Sequence, residues 1–146
     1  VVDVTILAPE PRTTIDLATV FRVAADVIER NGLAKGQFVA PPAVPDAHGV
    51  LHASDPQFRP VDMVGAIRIA CGEDPERPED VPDVPVVAAA LEFASLHMRG
   101  LAPWTDGRPD YIEHLADFTD VSSRTALEVS ACLVRLAVEA QMAVAS

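Results

Sequence analysis

Apolar residues recur three and four positions apart in two long stretches of this chain, and that period fixes the fold class. In the first stretch Leu17, Val20, Phe21, Ala24, Val27 and Ile28 form the series, while Arg22, Asp26, Glu29 and Arg30 fall between them. A helix turns about 100° per residue, so such spacing gathers the greasy side chains on one stripe and the charges on the other; a half-buried strand would need strict alternation. The spacing predicts a helix over 14–31, with Thr13 and Asp16 at capping-box separation and Asn31-Gly32 as the stop. In the second stretch Ala126, Val129, Leu133, Leu136 and Ala140 predict a helix over 126–143. Here Leu127, Val134 and Val138 add a second apolar side, so this helix either runs through the middle of the core or supplies half of a dimer interface.

Between these two helices the pattern is shorter and more often interrupted. A helix over 60–71 is expected, with Pro60 tolerated in its first turn and Gly72 ending it. Gly65 and Ala66 inside it cost helix propensity, which points to close approach by another backbone. A further helix is expected over 85–99, closed by Gly100, with Val86, Val87, Ala90, Phe93, Ala94 and Leu96 apolar; a short one follows over 109–117, after a loop through Pro103, Trp104 and Gly107. Residues 33–59, rich in Pro, Gly, Ala and His, read as a loop or loose hairpin carrying Phe38-Val39 and Val50-Leu51. Residues 73–84 read as an acidic linker in which Pro75, Pro78 and Pro82 forbid a regular helix. Val2, Val4 and Ile6 alternate with polar residues and suggest a short strand that Pro9 and Pro11 stop. The expected fold class is mainly α: a compact bundle of about five helices with a minor short β element, at the N-terminus or in the 33–59 loop. It forms one helical domain over 1–146, with 1–12 an extended N-terminal segment.

Composition supports a packed core. The 146 residues are 49% hydrophobic and 23% charged, too apolar for a disordered chain, and a chain of this length buries about two thirds of its unfolded surface. The longest apolar run, 127–143, is broken by Glu128, Arg135, Glu139 and Gln141, so no membrane span is expected. Residues 1–7 lack a basic region, a long apolar run and a small-residue cleavage site, and do not read as a signal peptide. The chain begins with Val rather than Met, which leaves removal of a leader open. A cytoplasmic location is expected. Cys71 and Cys132 stand alone in helical patterns and read as reduced, mostly buried thiols. A net charge of −11 disfavours nucleic acid and anionic lipid as direct partners, though basic partners remain open. Ten of the eleven basic residues are Arg and only Lys35 is Lys, a usage associated with GC-rich coding, where acidic proteins are common.

Three segments carry a family resemblance: Ala24-Ala25-Asp26-Val27-Ile28-Glu29 through Gly32; Gly65-Ala66-Ile67-Arg68-Ile69-Ala70 with Gly72; and Phe118-Thr119-Asp120 with Arg124-Thr125 and Glu128-Val129. Together they span roughly residues 17–138. In these segments the chain resembles a family of small helical actinobacterial and actinophage proteins, a domain of unknown function. The resemblance implies a helical fold and brings no activity with it. Trp-Asn-Asp is the family form where this chain has Phe118-Thr119-Asp120, and a Cys often stands where it has Asp62. Chemistry resting on that Cys would be closed to this chain.

Each polar cluster has a functional and a structural reading. Asp120 and Arg124 suggest a charge pair at a helix start, where free N–H groups attract anions. Against that, Thr125 and Glu128 have capping-box spacing, and Asp120 with Arg124 would pin the preceding turn; capping accounts for these residue types without a ligand. His48 and His52, near Asp46 and Asp55, are types that suit zinc, but their spacing aligns two imidazoles only on a helix and Gly49 in a Pro-rich loop opposes one. His97 and His114 belong to separate helices, with Glu92, Glu113 and Asp117 nearby. Glu73, Asp74, Glu76, Glu79, Asp80 and Asp83 lack the order of an EF-hand and read as a solvated loop. Ser95, Ser122, Ser123 and Ser130 have no nucleophile-elbow context, and no P-loop or dinucleotide-binding glycine turn occurs. No catalytic residue, metal site or cofactor is nominated.

The leading expectation is a non-enzymatic protein-interaction or regulatory domain, working with a protein partner or by self-association as a homodimer, with Leu127, Val134 and Val138 at the interface. The alternative is a small enzyme or small-molecule-binding domain whose pocket between helices is lined by Trp104, His97, Arg68 and Asp120, with Arg124 beside it. A third reading is an acidic decoy for a basic host protein.

Overall fold

The computed structural model describes residues 9–40, 48, 56–76, 82–98, 104–105 and 108–145, and the side chains of 17–40, 48, 56–76, 82–98 and 110–144. Five helices run among them: α1 (Pro9–Asn31), α2 (Met63–Ala70), α3 (Pro85–His97), α4 (Tyr111–Asp120) and α5 (Ala126–Ala145). A single 3-10 turn, Pro56–Phe58, precedes α2, and two antiparallel strands, β1 (Trp104–Thr105) and β2 (Arg108–Pro109), lie between α3 and α4. The helical bundle expected from the sequence is the fold. Its small β ladder falls at 104–109, in what reads from the sequence as a loop. In the 33–59 stretch the described pairing is limited to isolated bridges from Leu33 and Val39 to Val61. The N-terminal strand expected at 2–6 and the Val50-Leu51 pair lie outside the described residues.

The α1 and α5 helices make the most extensive packing contact of the bundle, and α2 lies against α1. Their stripes meet as the spacing predicts: Leu17, Val20, Phe21, Ala24, Val27 and Ile28 are all buried, as are Val129, Leu133, Leu136 and Ala140. Each fully buried Phe, Leu, Ile or Val contributes about 1.5–3 kcal/mol. Phe21 meets Phe93 of α3 with ring centroids 5.8 Å apart, which ties the third helix to this pair.

Several helix ends differ from the sequence expectation. The first helix begins at Pro9 rather than 14, so the extended segment expected over 1–12 is cut short. Its prolines sit in the first turn, where N–H groups have no intrahelical acceptor to lose. Thr13 and Asp16 therefore lie inside α1 rather than at its start. At its far end Gly32, with φ of 98°, does terminate it. The second helix starts at Met63 rather than 60, because Asp62 is its N-cap, and Gly72 follows with φ of 80°. The third ends at His97, and Arg99 and Gly100 lie outside the described residues. The fourth runs Tyr111–Asp120 rather than 109–117, capped by Asp110 through the N–H of Glu113 at 2.9 Å.

Gly65 is the close approach its sequence position suggests. A Cβ there would run into the carbonyl oxygen of Phe38, and the crossing backbone is fixed by Asp62 N–H donating to Phe38 O at 3.1 Å and Ala40 N–H donating to Pro60 O at 2.7 Å. Buried Asn31 and Arg59 hold the same crossing. Asn31 Nδ2 donates to the carbonyls of Gln57 and Arg59, and Arg59 Nη1 donates to Ala40 O at 3.0 Å while pairing with Glu76 at 3.3 Å.

Candidate functional site

The start of α2 gathers more buried polar chemistry than its sequence suggests. Asp62, 1% exposed, accepts the Gly65 N–H at 2.7 Å. Thr119 Oγ1 of α4 accepts the N–H of Met63 at 3.3 Å and donates its own O–H to Leu115 O at 3.2 Å. Burial above all, opposed by the Gly65 N–H, aided by the neighbouring charge of Asp120 and opposed by Arg68, leaves the Asp62 carboxyl pushed up from 3.8 to about 7. Asp120 in turn accepts the Gly36 N–H at 2.7 Å, and Lys35, next to it, donates to the Val121 and Ser122 carbonyls just past α4 at 2.6 and 3.0 Å. Asp62 and the 118–120 segment thus meet in space. What they build is a junction of helix ends in which each named group serves a backbone partner.

Arg68 lines an open cleft of about 550 Å³ with Phe38, Pro82, Asp83, Asp110, Ile112, Glu113 and Ala116. That volume is within the usual range for small ligands. Its guanidinium is already engaged, though, by Asp83 at 3.1 and 3.3 Å, and lies over the Phe38 ring at 5.0 Å from the centroid. Of the other residues expected to share its pocket, those with described side chains lie elsewhere. His97 stacks on Phe93 at 3.9 Å and bonds Glu139 of α5 at 3.0 Å. Arg124 covers the Phe118 ring at 3.9 Å while its Nε donates to Phe118 O at 2.9 Å, fixing the turn between α4 and α5. Trp104 begins β1, and its side chain lies outside the described residues. Of the described candidates Arg68 alone lines the cleft.

Two nucleophile types have defined surroundings. Ser95 Oγ and His114 Nδ1 are 2.6 Å apart, joining α3 to α4. The pair resembles a serine–base dyad, but Ser95 is 3% and His114 7% exposed, which closes the hydroxyl to a substrate. Burial lowers the His114 pKa while Asp117 opposes, so the imidazole is neutral at neutral pH, suited to a buried hydrogen bond. Cys132, half-buried rather than fully buried, lines a recess of about 310 Å³ with Met98, Phe118, Glu128, Ala131 and Arg135. Burial pushes its thiol up despite Arg135 and Arg124, which keeps it in the less nucleophilic form. Among the described residues no group of three or more His, Cys, Asp or Glu is placed to hold a metal ion; His48 is exposed, and His52, Asp46 and Asp55 lie outside them.

The outward side of α5 is different in kind. Its N-terminus carries the expected capping box, with Glu128 accepting the Thr125 N–H at 2.9 Å and Thr125 Oγ1 accepting the Glu128 N–H at 3.1 Å. Beyond it Leu127 is 73%, Val134 47%, Val138 46% and Met142 64% exposed, so the second apolar side of this helix faces solvent rather than the core. With exposed Ala131 these residues follow at intervals of four, three, four and four and form one continuous stripe. Arg135 and Glu128 stand along one margin, with Arg135 paired to Glu139 at 3.4 Å.

Fold and surface together define a small α-helical protein of the bundle class, whose polar clusters secure helix ends and whose last helix is apolar on two sides. The chain belongs to the Family of unknown function (DUF6197), which matches it over residues 12–139. No curated protein and no solved structure matches it. None of the described helices is long and apolar enough to cross a membrane.

Sequence reasoning named Arg68, Asp120 and Arg124 but missed Asp62, Thr119 and the Ser95–His114 pair. Asp62 had a signal: an Asp immediately before the apolar run Met63-Val64 is an N-cap pattern, hidden by placing the helix start at Pro60. Ser95 and His114 are 19 residues apart in separate helices, and no local spacing connects them.

Proposed function

We propose that this protein is a non-enzymatic protein-interaction domain whose working surface is the outward face of α5. The observation that carries this reading is the stripe of Leu127, Val134, Val138 and Met142, all exposed on a helix whose opposite side already fills the core. Single exposed apolar residues are ordinary, whereas a continuous ridge on one helix is the usual mark of a contact surface. The polar clusters favour the same reading, since the buried Ser95–His114 pair and the protonated Cys132 are poor nucleophiles. The test compares the wild-type chain with Leu127→Glu/Val138→Glu in proximity cross-linking and affinity capture. The reading expects the variant, folded by circular dichroism, to lose the cross-links and captured proteins of the wild type. An unchanged set would contradict it.

A second reading, a small-molecule-binding domain, is favoured by the cleft at Arg68, whose lining includes three carboxylates, Asp83, Asp110 and Glu113, beside one guanidinium already paired with Asp83. Such a lining suits a ligand bearing an amine beside an apolar body. Nuclear magnetic resonance titration with a panel of small amines tests it: shifts confined to Phe38, Ile112 and Ala116 are expected, and their absence across the panel removes the reading.

A further inference from the structure

We infer that the occupant of the α5 ridge is a second copy of this chain, packed antiparallel so that Leu127 meets Val138 and Ala131 meets Val134 of the other copy. The inference rests on the interaction reading above and adds the partner and its register.

The spacing of the ridge is the first ground. Leu127, Ala131, Val134 and Val138 alternate four and three, the seam that lets two helices interlock along their length. A two-fold contact presents the same patch from both partners, so a ridge that closes on itself must pair its members reciprocally. In the antiparallel arrangement Leu127–Val138 and Ala131–Val134 each occur twice about the axis, and small Ala131 lets the backbones approach.

Charge is the second ground. The chain carries −11 overall, which opposes bringing two copies together. The immediate margin of the ridge is mixed rather than uniformly acidic, however: Glu128 and Arg135 stand one heptad apart on the same side, and Arg135 also pairs with Glu139 of its own chain. In the antiparallel register each Glu128 comes opposite Arg135 of the second copy, giving two complementary pairs. A slide of one heptad, about two turns, would oppose Arg135 to itself, and a parallel pair would leave Glu128 of one copy and Arg135 of the other on opposite outer edges. The margin therefore selects orientation and register, while the ridge supplies the attraction.

Light scattering after size exclusion, together with sedimentation over a concentration series, provides the test on the full chain. The wild type is expected to move from the mass of one chain to twice that mass as concentration rises. Val134→Glu is expected to raise the dimer dissociation constant about tenfold or more. Glu128→Arg and Arg135→Glu are each expected to weaken the dimer roughly fivefold, and the double swap to restore it. Since Glu128 also closes the capping box, Thr125→Ala serves as the control that removes the cap and keeps the margin; it is expected to leave dimerisation unchanged. A strict monomer at every concentration overturns the inference, while the interaction reading then stands or falls on its own capture experiment. A dimer indifferent to Val134→Glu overturns the inference too, since the two copies then meet through another surface, and the interaction reading is again decided by capture. A dimer lost with Val134→Glu but not restored by the double swap overturns the register.

Discussion

Asp62 holds a carboxyl at 1% exposure where α2 begins, and its pKa of about 7 couples the fold to pH at that point. Between its ordinary 3.8 and about 7 the folded chain binds a proton that the unfolded chain has released, so this group's stabilisation is complete at the acid end and is lost as pH rises through 7. Asn can accept the same Gly65 N–H without a charge. Asp62→Asn is therefore expected to match the wild type in thermal unfolding below pH 3.8 and to exceed it by a margin that grows from there to pH 8. The difference between the two profiles, rather than the slope of either, isolates this carboxyl. Ser95 and His114 pose a simpler case. Ser95→Ala leaves the imidazole nitrogen buried without the partner it has at 2.6 Å and is expected to cost about 1–3 kcal/mol in urea denaturation. A loss near zero would mean that the hydrogen bond is not formed in solution. At this scale the sequence was least legible. It supplied residue types, while the partners that define their roles, Asp83 for Arg68 and Glu139 for His97, come from other elements.

At the scale of elements, legibility followed the length of the periodic run. The α1 and α5 helices, with six and five apolar residues in series, have the buried faces their spacing requires, whereas α2, eight residues long, was misplaced at its start because Pro60 outweighed Asp62 as a signal. Gly65 within it links sequence to packing most directly. Elsewhere on a helix, Gly→Ala gains about 1 kcal/mol. Gly65→Ala is expected to lose stability instead, by about 1–3 kcal/mol, because the new methyl meets the Phe38 carbonyl oxygen in a backbone that Asp62 holds in place. Chemical denaturation decides the sign, and a more stable variant would show that the 38–40 strap yields. For α5, Thr125→Ala is expected to cost about 1 kcal/mol by removing the capping box, with no change at the ridge.

For the molecule as a whole, the helices divide their labour. The α1–α5 contact forms the centre of the core, α2 to α4 close its remaining sides, and the polar junctions fix loops onto helix ends. The fold class was legible because hydrophobic period depends on the chain's own geometry. Of the candidate site, the second apolar side of α5 was legible for the same reason, but whether it faced core or solvent depended on how many neighbours α5 acquires, which no local pattern encodes. The most direct test is methyl nuclear magnetic resonance with a soluble paramagnetic probe over a range of protein concentration. The methyls of Leu127, Val134 and Val138 are predicted to lose exposure to the probe as concentration rises, while that of Leu96, 61% exposed on α3, keeps it. Equal probe exposure of the α5 methyls at every concentration would contradict the account.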